Sequence, residues 1–152
     1  MKLTCSIDIN APKEFVWQAI TNIENAVNMI SGIEKIEILE KPDQGLVGLK
    51  WEETRTLFGK TATEVMWITD AVENSYYHTR AESHGAVYIT HLTLEENAGV
   101  TTFTMSFNGE PQTLGGKIMM FLMGWMFVKA TREALEKDLE DIKVYAEGLS
   151  AK

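Results

Sequence analysis

Three ionisable side chains, Glu53, Arg55 and Glu64, fall in positions from which they could act together. Residues 46–57 alternate so that Leu49, Trp51 and Leu57 share one strand face, and by the two-residue period Glu53 and Arg55 lie on that same face. Lys50, Glu52, Thr54 and Thr56 take the other face, which suits solvent. In the run that follows, Ala62, Glu64, Met66 and Ile68 form the matching row. A two-residue connection sets Arg55 opposite or diagonal to Glu64, whereas a three-residue turn would reverse the face of Glu64. Charged groups aimed into an apolar concavity need partners, because an unpaired charge is very costly to bury. Two readings stand side by side. The cluster orients a ligand head group or performs acid–base work, with Glu53 or Glu64 as base and Tyr88 or Arg55 as electrophilic helper. Alternatively it is a structural ion pair at a cavity rim or on the solvated outside.

Other chemistries find less support. His78, His84 and His91 lack the paired spacing of zinc ligands, and Cys5 is remote from them, so no metal site is expected. His78 shares its face with Tyr76, Arg80 and Glu82, which reads as solvated, and His91 is out of phase with Leu92 and Leu94. Cys5 sits in an apolar alternation as a small buried hydrophobe, and one cysteine cannot form an intrachain disulfide. A Ser-His-Asp order, a phosphate loop and a dinucleotide fingerprint are absent, and no cofactor is expected. Acidic side chains outnumber basic ones, 22 to 14, for a net charge of −8. Such a chain repels phosphate backbones at long range, so nucleic acid is not an expected partner. An anionic membrane is disfavoured on the same ground, although a local basic patch would escape that argument.

The elements that must position these residues follow from periodicity. Leu3, Cys5, Ile7 and Ile9 alternate with polar residues as a half-buried strand. Asn10 is read as the cap of a short helix with Pro12 in its first turn, and Phe15, Val16, Ala19 and Ile20 as its buried stripe. A second short helix covers residues 23–30. Strands are then expected over 33–41, 46–57, 61–70, 75–82, 87–95 and 100–107, with turn residues between them every ~10 positions, the pattern of an antiparallel meander. The connection between the third and fourth strands is assigned to Phe58, Gly59 and Lys60.

After Pro111 one long helix is expected, with Gly124 as a place for a bend. Glu133 and Lys137 stand four apart on its solvated face. Residues 114–128 are apolar around nearly the whole circumference, so they must be covered on every side or face an interface. They are too short to span a bilayer, and Lys117 and Lys129 bracket them, so burial against the sheet is the expectation and stable membrane insertion is not. Met119, Met123 and Phe127 are read either as cavity lining or as plain core; a homodimer interface through this segment is a further alternative. Largely buried positions should include Leu3, Ile7, Ile9, Trp51, Met66, Phe103 and Leu139.

The order strand, two short helices, six strands, long helix resembles the helix-grip fold, and more specifically the polyketide cyclase and lipid-transport (SRPBCC) superfamily with its START and Bet v 1 groups. The carriers are Ile7-Asp8-Ile9-Asn10-Ala11-Pro12 followed by Val16-Trp17, then residues 48–55, 59–64, 99–101 and 139–147. Gly99-Val100 stands where the family usually has Gly-Thr. The resemblance covers essentially the whole chain and implies an α+β domain over residues 1–152. In it a curled seven-stranded antiparallel sheet wraps a long C-terminal helix, with two short helices between strands 1 and 2. It also implies a hydrophobic pocket between sheet and helix. The function expected is binding of a hydrophobic or amphipathic small molecule of lipid, isoprenoid or aromatic polyketide type. The alternatives are a cyclase or dehydratase using cavity carboxylates, and a protein-interaction module docking through residues 114–128. Candidate cavity residues are Trp51, Glu53, Arg55, Glu64, Met66, Tyr88, Phe103, Met119, Met123 and Phe127. The chain enters its first strand without an apolar leader, which makes a cytoplasmic location the expectation.

Overall fold

The computed structural model describes residues 1–57, 59–83 and 85–152. The expectations placed on Phe58, His84 and the side chain of Leu57 lie outside the described residues. Seven strands form one antiparallel sheet in the order β1-β7-β6-β5-β4-β3-β2. They are β1 (Lys2–Ile9), β2 (Ile33–Glu40), β3 (Lys50–Leu57), β4 (Lys60–Val72), β5 (Tyr76–Ser83), β6 (Ala86–Asn97) and β7 (Val100–Pro111). Two short helical segments separate β1 from β2: α1 (Lys13–Thr21), then a 3-10 turn (Ile23–Asn25) running into α2 (Ala26–Met29). Helix α3 (Leu114–Ser150) is continuous through Gly124. This is the helix-grip architecture.

The start of β3 differs from its expected place. Residues 46–49 curl instead of extending, because Gly45 and Gly48 adopt left-handed backbone at φ 71° and 96°. Helix α1 also starts later than expected. Pro12 precedes it in an extended conformation, and no side chain within the segment caps it, so Asn10 is not its cap. The carboxylate of Glu96, from the β6–β7 hairpin, accepts the Lys13 N–H at 2.8 Å and places negative charge at the positive end of the helix. Two buried hydroxyls tie α1 to the sheet: Thr101 donates to the Ala11 carbonyl at 2.7 Å, and Tyr77 donates to the Ile20 carbonyl at 2.9 Å. The core gathers Leu3, Ile9, Val16, Trp51, Ile68, Phe103 and Leu139. Ile7 and Met66, expected to be largely buried, are partly buried and pack against it.

The two halves of α3 behave differently. Its buried residues are Leu135, Asp138, Leu139, Ile142 and Ala146, a stripe at helical spacing that packs within the β1, β7, α1 and α2 surroundings. Lys137 pairs forward with Asp141, instead of back with Glu133 as the sequence spacing suggested. The first half is exposed: Phe121 at 88 %, Trp125 at 72 %, Met123 at 47 %. The expected burial of residues 114–128 against the sheet is therefore not what the structure shows. Thr113 caps this end of the helix by accepting the Gly116 N–H, beside the β5–β6 turn, where Gln112 N–H donates to the Gly85 carbonyl. Beside this end, concave-face residues of β4, β6 and β7 (Met66, Tyr88, Met105 and Phe107) are only half-buried. Apolar composition indicates that a segment seeks cover; it does not say that its own sheet closes over it.

Candidate functional site

The strand phase that brings the ionisable residues together holds. In the β3–β4 register Trp51 lies opposite Met66, Glu53 opposite Glu64, and Arg55 opposite Ala62, which makes Arg55 diagonal to Glu64. Trp51 donates its indole N–H to Glu53 at 3.4 Å, and Arg55 Nε donates to the same carboxylate at 2.7 Å. Sheet pairing thus sets one row, Trp51-Glu53-Arg55, along the concave face beneath α3.

The main partner of that row is a residue the sequence reading missed. Arg55 Nη1 and Nη2 donate to the two oxygens of Asp138 at 3.1 and 2.7 Å, a bidentate pair joining β3 to α3. Asp138 is 5 % exposed. Its signal was legible: it occupies a turn of the Leu135, Leu139, Ile142 stripe, where a buried carboxylate requires a cation. Burial pushes the Asp138 carboxyl above its ordinary value, and the pull of Arg55 offsets this only in part. At Arg55, burial opposes the charge, but Asp138 and Glu53 together outweigh it and hold the guanidinium above its usual range. The Nε edge and the Nη end of the fork are both occupied by protein carboxylates, so Arg55 is not available as a bidentate seat for a ligand acid.

Next to this cluster the concave face carries half-buried apolar side chains. Tyr88 and Phe107 stack at 5.6 Å between ring centres, with Met66 and Met105 beside them on the same face by register. Burial, and then the charge of Glu64, raise the Tyr88 phenol above its ordinary value. Of the remaining expected cavity residues, Phe103 is fully buried and belongs to the core. Met119, Met123 and Phe127 are on the exposed half of α3. A separate surface cleft of about 230 Å³ lies between the 3-10 turn, β2 and the 41–45 turn, lined by Thr21, Ile38, Lys41 and Leu49 among others.

His78 and His91 face each other on the opposite side of the sheet, their rings stacked at 3.7 Å, with Tyr76 against His78 at 4.9 Å. Partial burial, His78 and Lys2 lower the His91 pKa. Among the described residues, no three His, Cys, Asp or Glu side chains are grouped to hold a metal ion, and no helix is long and apolar enough to cross a membrane.

Comparison with known proteins agrees with this architecture. No curated protein matches the chain by sequence. Among solved structures, TTHA0849 from Thermus thermophilus superposes with a TM-score of 0.83 at 15% identity, covering 99% of both chains. The ZhuI aromatase/cyclase from Streptomyces sp. R1128 gives 0.79 at 16% identity, over 97% of this chain and 93% of its own. A START superfamily protein from Mycobacterium smegmatis gives 0.68 at 12% identity, over 93% and 98%. At such identities the likeness concerns the fold. The family model described as polyketide cyclase / dehydrase and lipid transport matches residues 1–147, and the chain belongs to that family.

Proposed function

We propose that the protein binds a hydrophobic or amphipathic small molecule between the concave sheet face and the first half of α3. The observation that carries this reading is the row of half-buried apolar side chains, Met66, Tyr88, Met105 and Phe107, on the concave sheet face, in a protein whose long helix is Met-rich and exposed over its first half. An apolar concavity with a few polar groups to fix orientation is the common build of small-molecule sites. The candidate walls are Trp51, Met66 and Tyr88 on the sheet, and Met119, Met123 and Phe127 on the helix. Those flexible thioethers adapt to irregular greasy shapes. The polar end favours a neutral group over an acid. Arg55 is already engaged by Glu53 and Asp138, and Glu64 adds a further carboxylate beside Glu53. Hydroxyl- or carbonyl-bearing lipids, isoprenoids and aromatic polyketides fit that description.

One observation favours a second reading, a cyclase or dehydratase. The Asp138 carboxyl is buried and held above its ordinary range, a trait concentrated at acid–base sites.

The test is a fluorescence titration with a neutral naphthylamine dye, followed by competition with a long-chain alcohol and with the fatty acid of equal length. Saturable dye uptake, displaced more readily by the alcohol, supports the reading. No dye uptake overturns it, and preferential displacement by the acid overturns the assignment of the polar end.

A further inference from the structure

We propose that the outward stripe of α3 docks on an anionic lipid surface. On a helix with 3.6 residues per turn, Leu114, Ile118, Phe121, Leu122 and Trp125 fall within an arc of about 100°. All five are exposed large hydrophobics, and their arc is centred about 110° round the helix from the face that carries Met120, Gly124 and Val128. The stripe is ~16 Å long at 1.5 Å per residue, which suits lying in a bilayer surface and not crossing one.

Charge decides between the occupants this face could accept. The protein as a whole carries −8, yet residues 111–132 contain Lys117, Lys129 and Arg132 and no acidic side chain. Lys117 and Lys129 are exposed; Lys117 lies about 40° to one side of the stripe and Lys129 one turn beyond its C-terminal end within the same arc, while Arg132 turns toward Cys5 of β1. Acidic residues resume on either side, at Glu110 and Glu133. Over a Debye length of about 8 Å at physiological salt, the remote acidic surface is screened, and the nearest helical carboxylate, Glu133 one turn beyond Lys129, offsets only part of the local positive charge. Apolar and aromatic residues flanked by lysines are the build of an interfacial helix that needs both burial and attraction to anionic lipid. This placement does not depend on the ligand reading, since it uses the opposite side of the helix.

Co-sedimentation of the full chain with vesicles tests it, using phosphatidylcholine alone and phosphatidylcholine mixed with a minor share of phosphatidylglycerol. Binding about tenfold tighter to the mixed vesicles, weakened by added salt, is the expected result. Lys117→Glu with Lys129→Glu should remove the preference for phosphatidylglycerol. Phe121→Ser with Trp125→Ser should weaken binding about tenfold while circular dichroism stays unchanged, because both side chains are already exposed. No sedimentation with either vesicle, or equal binding to both, overturns the proposal. So does a concentration-dependent dimer, seen by light scattering and abolished by the Phe121→Ser pair, with no lipid binding: the stripe would then belong to a second copy of the chain.

Discussion

Removing Asp138 perturbs the one charged contact that joins the sheet to the long helix among the described ion pairs. Breaking a buried ion pair by deleting one partner costs ~3–5 kcal/mol, because the survivor is left uncompensated in a poorly solvated site. Asp138→Ala should lie at the lower end, ~3 kcal/mol, since Glu53 still holds the Arg55 guanidinium at 2.7 Å. Arg55→Met should lie near ~5 kcal/mol, since it leaves Glu53 and Asp138 buried together with no cation between them. The double variant Arg55→Met with Asp138→Leu removes both halves of the pair. Its cost should fall short of the summed single costs by ~2–3 kcal/mol. The assay is urea unfolding followed by circular dichroism, with the slope unchanged so that midpoints report stability. In a thermal scan the Asp138→Ala loss corresponds to a fall of ~6–12 °C for a chain of this size. Strict additivity, or single costs below ~0.5 kcal/mol, would refute the reasoning: the pair would then behave as a solvated surface contact.

Leu139→Ala should cost ~2–5 kcal/mol in the same assay, as it empties a close-packed position that is 2 % exposed. Asp141 supplies a pH signature. Burial pushes its carboxyl up, but the Lys137 ammonium and the Ser31 N–H and O–H outweigh this and hold it below its ordinary value. A depressed folded pKa means stability that is present above the unfolded value near ~3.9 and lost as the pH falls through the lower folded one. Asp141→Asn should therefore flatten the acid limb of a stability–pH curve, and an unchanged limb would count against the Lys137–Asp141 contact. Met123→Trp should block uptake of the naphthylamine dye while leaving the melting temperature within the small range of surface changes, since Met123 is exposed in the free protein. Unchanged affinity would place the ligand elsewhere.

Much of the fold was legible because its period is simple. Alternation gave the β1 face, and the β3 row was readable to the residue: Trp51, Glu53 and Arg55 share the concave side as the two-residue period requires. Glu64 kept its phase as well, which also fixes Glu53 and Glu64 as direct neighbours. Asp138 escaped because helical stripes were read for apolar residues alone, and a charged residue in such a stripe announces itself only when its partner is known. The cap of α1 was illegible for another reason: Glu96 comes from a hairpin far along the chain, and local capping rules look only nearby. The exposure of residues 114–128 was illegible in a third way. Their composition demands cover but carries no polar face to tell which side the sheet occupies.

Native mass spectrometry of freshly purified protein tests the central claim most directly. A bound apolar molecule should appear as a discrete added mass, be displaced by a long-chain alcohol, and be missing from Met123→Trp. A bare chain mass that takes up neither alcohol nor dye, in a protein shown to be folded, would contradict the account.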